Sequence, residues 1–274
     1  LIQFTSANFT SSDTVDGGAN ADTIEITTTA TVVDADFSNV TGVETLLLSA
    51  GGSQDVTLGA SADVPTETWE YFVRQIRSYK GRNFITGGPL FFSLMSHGFL
   101  DMKGKRDSLG FDYWVCSRNC VLSHRQYCID NPNGFKGYGA DTWGLNACDT
   151  PFGYMACSPI GEGVDNGTLM PSAAAAAYMF TPKESLAAAQ AFKKQVPKAY
   201  GRYGFANAIN PQQNWIDPDV IGIDLGMLFL CLENARDGLP SRLLERHSVI
   251  QRGMKRAGFH RTEEGPLEKR KLQV

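Results

Sequence analysis

The sequence has 274 residues, 42% hydrophobic and 20% charged, enough apolar material for a sizeable core, and no apolar run reaches the roughly 18 residues of a membrane span. A formal net charge of -4 provides no basic field for a phosphate backbone, which argues against general nucleic-acid binding. The charge is unevenly spread: nine acidic residues and no Lys or Arg precede position 64, and the first basic residue is Arg74, so the chain reads as an acidic piece, 1–63, a second piece, 64–260, and a charged tail, 261–274.

The first piece is rich in Thr and Val. Short alternating runs at 23–26, 31–33, 45–48 and 56–58, separated by Gly, Asn, Asp and Ser, predict strands and turns. The segment Gly17-Gly18-Ala19-Asn20-Ala21-Asp22 resembles one unit of the calcium-binding nonapeptide repeats of bacterial secreted proteins, with Asn20 where that pattern has Gly. A single unit cannot supply the six or more oxygens that calcium takes, so no metal is expected there. Residues 33–46 resemble the strand repeats of bacterial surface-layer and adhesin-type proteins and carry no chemistry.

In the second piece the period changes. Trp69, Phe72, Val73, Ile76 and Tyr79 share one face at helical spacing, which predicts an amphipathic helix opening the new domain. The Ala-rich stretch 172–178 predicts a tightly packed inner helix. Thr181-Pro182-Lys183-Glu184 predicts a capping box with Pro at the first helical position. Residues 220–234, apolar almost all round, predict a buried inner helix closed by Gly238 and Pro240, with 242–254 as its polar outer partner. Six cysteines without a CxxC pair read as small packing residues.

The long loops between these helices hold the informative residues. Trp143-Gly144-Leu145-Asn146-Ala147-Cys148-Asp149-Thr150-Pro151-Phe152-Gly153-Tyr154 gathers aromatics, a carboxylate and Gly-dictated turns. Sugars are bound this way, because a sugar ring offers an apolar face to an aromatic and hydroxyls to fixed polar groups. This motif, with Gly88-Pro89-Leu90-Phe91, Ser96-His97-Gly98, Cys128-Ile129-Asp130-Asn131-Pro132, Asp165-Asn166-Gly167-Thr168, Gly201-Arg202-Tyr203-Gly204-Phe205, Gly222-Ile223-Asp224 and Glu233-Asn234, resembles in order the bacterial glucoamylase-like family. Its relatives include endo-β-1,2-glucanases and the C-terminal domains of cyclic β-1,2-glucan synthases. The resemblance implies a mainly α fold, the C-terminal half of an (α/α)6 toroid preceded by the β-rich segment, with inner helices left open where the other half would pack. Self-association or a missing N-terminal half follows as an expectation.

The activity implied is hydrolysis of a β-linked glucan by paired carboxylates, without a cofactor or metal, in the periplasm or outside the cell. Asp149 and Glu162 are the catalytic candidates. Trp143, Tyr154, His97, Asp101, Asn207, Trp215 and Asp224 are the substrate-binding candidates, with a structural partner such as His97 expected for the buried Asp224. Two positions depart from the family: cyclising relatives carry Glu where this chain has Ala147, and many relatives carry a carboxylate where it has Asn207, which can act neither as acid nor as nucleophile. The alternatives are a non-catalytic carbohydrate-binding or surface-associated protein, or an inactive truncated fragment.

Overall fold

A computed structural model describes residues 1–29, 31–50, 55–56, 68–85, 88–159 and 163–262. The chain divides into two compact units, Leu1–Trp69 and Glu70–Val274. The boundary expected at 63/64 and most of the expected tail lie outside the described residues, although Arg261 is still strand-paired.

In the first unit the strands are β1 (Ile2–Phe4), β2 (Val15–Asp16), β3 (Thr23–Ile26), β4 (Thr31–Val32), β5 (Val40–Thr41), β6 (Thr45–Leu48) and β7 (Asp55–Val56). All their pairings are parallel: β1 with β3, β3 with β6, β2 with β5 and β4 with β7. Ile2 faces Ile24 and Ile24 faces Leu46, so the chain climbs in stacked turns whose polar rungs, Gln3 to Glu25 and Asp22 to Glu44, are 22 residues apart. Phe9, Val15, Ile24, Ile26 and Val32 fill the interior, and Phe9 packs on Phe4 and Phe37 at 5.0 and 5.1 Å between ring centres. Asp22, in the segment that resembles a nonapeptide repeat, sits in this 22-residue coil, where its N–H donates to Glu44 and its carbonyl accepts from Thr45.

The second unit is mostly helical. After the single turn α1 (Thr68–Tyr71), the predicted helix gives way to a hairpin of β8 (Ile76–Tyr79) and β9 (Arg82–Ile85). Lys80 and Gly81, both at positive φ, make the two-residue turn that joins such strands. The helix is also broken at Arg74, which forms a buried ion pair with Asp107 at 3.3 Å and donates to the Tyr113 hydroxyl.

There follow α2 (Leu90–Phe99), β10 (Lys105–Arg106) and α3 (Tyr113–Asp130), the last capped by Asp112 accepting from the Val115 N–H and ended by Asn131 in the left-handed region. The hairpin β11 (Ala147–Thr150) and β12 (Gly153–Ala156) precedes α4 (Pro171–Ala176), whose residues are all buried, and α5 (Pro182–Gln195). Thr181 does not cap α5 through its side chain; its hydroxyl instead lies 3.3 Å from the Ala177 carbonyl and 3.1 Å from Ser185 Oγ. Short pairs β13 (Tyr200–Gly201) with β14 (Gly204–Phe205) and β15 (Ile209–Asn210) with β16 (Trp215–Ile216) lead into α6 (Gly222–Arg236). The expected single outer helix is broken into α7 (Leu239–Leu244) and α8 (Ser248–Arg256) by a turn in which His247 accepts from the Val249 N–H. β17 (His260–Arg261) closes the unit against β10.

Helices α2, α4 and α6 pack against one another, with α3 on α2 and α5 on α4. α6 is not buried all round. Asp224, Met227 and Cys231 face the core, while Phe229 is 62% exposed beside Leu232 and Leu186, leaving an apolar groove of about 510 Å3 along α4, α5 and α6. All six cysteines are free thiols, and five are buried. Among the described residues no helix is long and apolar enough to cross a membrane.

Candidate active site

The N-terminal ends of α2 and α6 meet the β11–β12 hairpin around a cavity of about 190 Å3. Phe91, Ala147, Asp149, Tyr154, Asn207, Ile221, Ile223 and Asp224 line it. Strand alternation explains the hairpin's contribution: Cys148 and Thr150 point into the core, so Ala147 and Asp149 turn the other way. Asp149 and Tyr154 are cross-strand partners, and the tight turn between them is fixed by the Thr150 hydroxyl donating to the Gly153 carbonyl at 2.8 Å. Tyr154 is 72% exposed and presents a free ring.

Asn207 organises the floor. Its Oδ1 accepts from the Asp149 N–H at 2.8 Å, its Nδ2 donates to Asp224 Oδ2 at 2.5 Å, and its own N–H donates to the Asp219 carbonyl at 2.9 Å. An amide is the side chain that can do both, accepting on one arm and donating on the other. The partner of Asp224 is therefore Asn207 and not His97. Asp224 lies in the first turn of α6, and its carboxyl is pushed up to about 6 by burial, opposed by the Asn207 hydrogen bond and reinforced by the charge of Asp149.

Two further carboxylates adjoin. Asp217 is buried, its Oδ1 accepting from the Asp219 N–H at 2.9 Å, and burial raises its pKa against that hydrogen bond, with the charges of Asp149 and Asp219 adding to the rise. An oxygen from each of Asp149, Asp217 and Asp219 lies within 4.8 Å of the others.

The remaining sequence candidates divide. Asp149, Tyr154, Asn207 and Asp224 are brought together; Glu162 lies outside the described residues. Trp143 is fully buried and has no free face for a sugar. Its motif is scaffold: the Leu145 carbonyl accepts from the Leu90 N–H at the start of α2, the Gly144 carbonyl accepts from the Met170 N–H before α4, and Gly144 itself is at φ +123 with the Met170 carbonyl packed against it. Trp215 is half-buried against the core and does not line the cavity.

His97 and Asp101 lie at the far end of α2, on a second cavity of about 570 Å3. There His97 Nε2 meets Ser117 Oγ at 2.9 Å, its ring packs edge-on against Trp114 and Phe180, and burial lowers its pKa to about 4. Asp165 is consumed structurally, accepting from Tyr127, Tyr138 and Asn133 at 2.6–2.7 Å. Sequence reasoning missed Asn146, whose Oδ1 accepts from the Phe91 N–H at 2.6 Å and so fixes the start of α2 beside the cavity; an amide in a Gly-flanked loop ahead of a strand gave no distinguishing signal.

Residues 42–248 match a family model described as "Putative glucoamylase". Over 184 residues the chain is 33% identical to an exo β-1,2-glucooligosaccharide sophorohydrolase (non-reducing end) of Parabacteroides distasonis, covering 65% of this chain and 25% of that protein. The endo-β-1,2-glucanase of Chitinophaga pinensis, solved with sophorotriose and glucose, superposes with a TM-score of 0.67 at 32% identity, over 72% of this chain and 50% of that one. A β-1,2-glucanase of Parabacteroides distasonis superposes at 0.63 with 29% identity, over 74% of this chain and 31% of that one. The chain thus spans half or less of the length of these relatives.

Proposed function

The chain belongs to the glucoamylase family, and from that membership we propose that it is a glycoside hydrolase of β-linked glucans, with β-1,2-glucan as the first substrate to test. One observation carries the reading: Asp149 and Asp224 share a small cavity, bridged by a single amide, beside an exposed tyrosine ring. Glycoside hydrolysis uses one carboxylic acid to protonate the departing oxygen and one carboxylate to activate water or attack the anomeric carbon. Asp224, with its pKa raised to about 6, keeps its proton in mildly acidic solution and takes the acid role. Asp149, half-buried on the hairpin, takes the base role. Tyr154 covers the apolar face of a sugar, and Asn207 neither gives nor takes a proton but fixes the backbone at Asp149 and the carboxyl of Asp224.

The open apolar face of α6 and the share of the relatives' length that is matched support reading the second unit as the C-terminal half of an (α/α)6 toroid. The same face supports self-association or pairing with an N-terminal half. A non-catalytic carbohydrate-binding role is the second reading, favoured by the amide at position 207. Reducing-end release from β-1,2-glucan, measured beside Asp149→Asn and Asp224→Asn and alongside calorimetric binding of glucan oligosaccharides, separates them. Release lost in both variants supports the hydrolase, binding without release supports the binding protein, and absence of both overturns the two readings together.

A further inference from the structure

We propose that Asp149, Asp217 and Asp219 form a binding site for a hard divalent cation of the calcium class. The first observation is spacing. One oxygen from each residue lies within 4.8 Å of the other two, and two ligands of one calcium ion, each about 2.3–2.6 Å from it, are at most about 5 Å apart, so the three oxygens fall inside the span that a single ion's ligands occupy.

The second observation is independent of the clustering. Asp217 is only 4% exposed, and its Oδ2 has no hydrogen-bond partner among the described residues, a condition that buried carboxylate oxygens rarely sustain. Its other oxygen is already engaged by the Asp219 N–H. No Lys, Arg or His lines the adjoining cavity, and none of the ion pairs among the described residues involves these three carboxylates. A bound cation satisfies the free oxygen and offsets the mutual repulsion of the group at once. The exposed side, at Asp219, leaves room for water to complete the six to eight oxygens that calcium takes.

The backbone fixes the donors before any ion arrives. The Asp217 N–H donates to the Ala208 carbonyl and the Asn207 N–H to the Asp219 carbonyl, so the two loop carboxylates are held against the strand that carries Asp149. The proposal does not depend on hydrolase activity, because the site is defined by its ligands alone.

Calcium binding to the full chain, by titration calorimetry after chelator treatment, is the test, with thermal unfolding in calcium and in EDTA as a second readout. One ion per chain is expected at millimolar affinity or better, with the melting temperature raised by calcium. Asp217→Asn should weaken binding by about tenfold or more. Because Asp217 is buried and its replacement risks misfolding, Asp219→Asn at the exposed edge provides a second variant with the same expectation. Asp22→Ala, in the first unit, should leave binding unchanged. No uptake at 10 mM calcium, binding lost in Asp22→Ala, or binding unaltered in Asp219→Asn would each overturn the proposal.

Discussion

Replacing Asn207 by Asp tests the polar floor of the cavity more sharply than removing a carboxylate. The new side chain keeps an acceptor for the Asp149 N–H but loses the N–H donor that holds Asp224 Oδ2 at 2.5 Å, and it sets two carboxyls in direct contact in a buried site. In the native chain Asp224 already titrates near 6, above the ordinary 3.8. A second carboxylate replaces a hydrogen bond that lowers that value with a charge that raises it, so the pair retains one proton to higher pH.

The sign follows from proton binding. A carboxyl whose folded pKa is raised binds protons more readily when folded, so its contribution to stability declines as pH rises from about 4 through the folded pKa. Below pH 5 the shared proton restores a hydrogen bond between residues 207 and 224, and the variant should lie close to the parent. At pH 8 the pair must hold a proton against the solvent or carry two charges, a loss of about 1–3 kcal/mol by the usual cost of a buried polar group left without its partner. For a unit of this size that is a fall of roughly 3–10 °C in melting temperature. Thermal unfolding of parent and variant at pH 5 and pH 8, followed by circular dichroism, makes the comparison. Equal stability at pH 8, or an equal deficit at both pH values, would refute the amide-bridge argument.

The other predictions concern binding, pH and backbone. Tyr154→Ala should leave the melting temperature within about 1 °C, since the ring is exposed, and weaken oligosaccharide binding about tenfold through lost stacking; Trp143→Ala should cost about 3–5 kcal/mol in denaturant unfolding, because it empties a fully buried site. If Asp224 is the acid, the rate of glucan cleavage should fall as pH rises through about 6, and a pH–rate profile that keeps climbing to pH 8 would remove it from that role. Gly144→Ala should give little soluble protein, since the position combines φ +123 with a Cβ that would sit 2.7 Å from the Met170 carbonyl oxygen; expression and circular dichroism of the variant decide it.

What could be seen in the sequence was what local pattern determines. The Ala-rich and Pro-initiated segments read as α4 and α5, and Gly238 reads as the stop after α6, where it takes up φ 71. The misreadings arise where two physical explanations produce one pattern. Trp69, Phe72, Val73, Ile76 and Tyr79 have helical spacing, yet Lys80-Gly81 is a hairpin turn, and the turn together with the Arg74–Asp107 ion pair decides the outcome. Trp143 in a Gly-rich motif suits a sugar platform and a core anchor equally, and only packing against α2 and α4 distinguishes them. The 22-residue step of the first unit was hidden because its stacked positions interchange Phe, Ile and Leu at one place and Gln, Glu and Leu at another. The Asn207–Asp224 pairing joins residues 17 apart that no helical or strand period links.

The coiled first unit also has a consequence for how its gene can change. Because Ile2, Ile24 and Leu46 occupy equivalent places on successive turns, a duplication of one 22-residue block inserts a further rung whose side chains meet the same neighbours above and below. An insertion of a single residue between Ile24 and Ile26 puts the two on opposite faces of β3, so that one of them leaves the interior. The other parallel pairs are offset by 25 and 24 residues, Val15 to Val40 and Thr31 to Asp55, so the segments between rungs absorb changes of length that the strands do not.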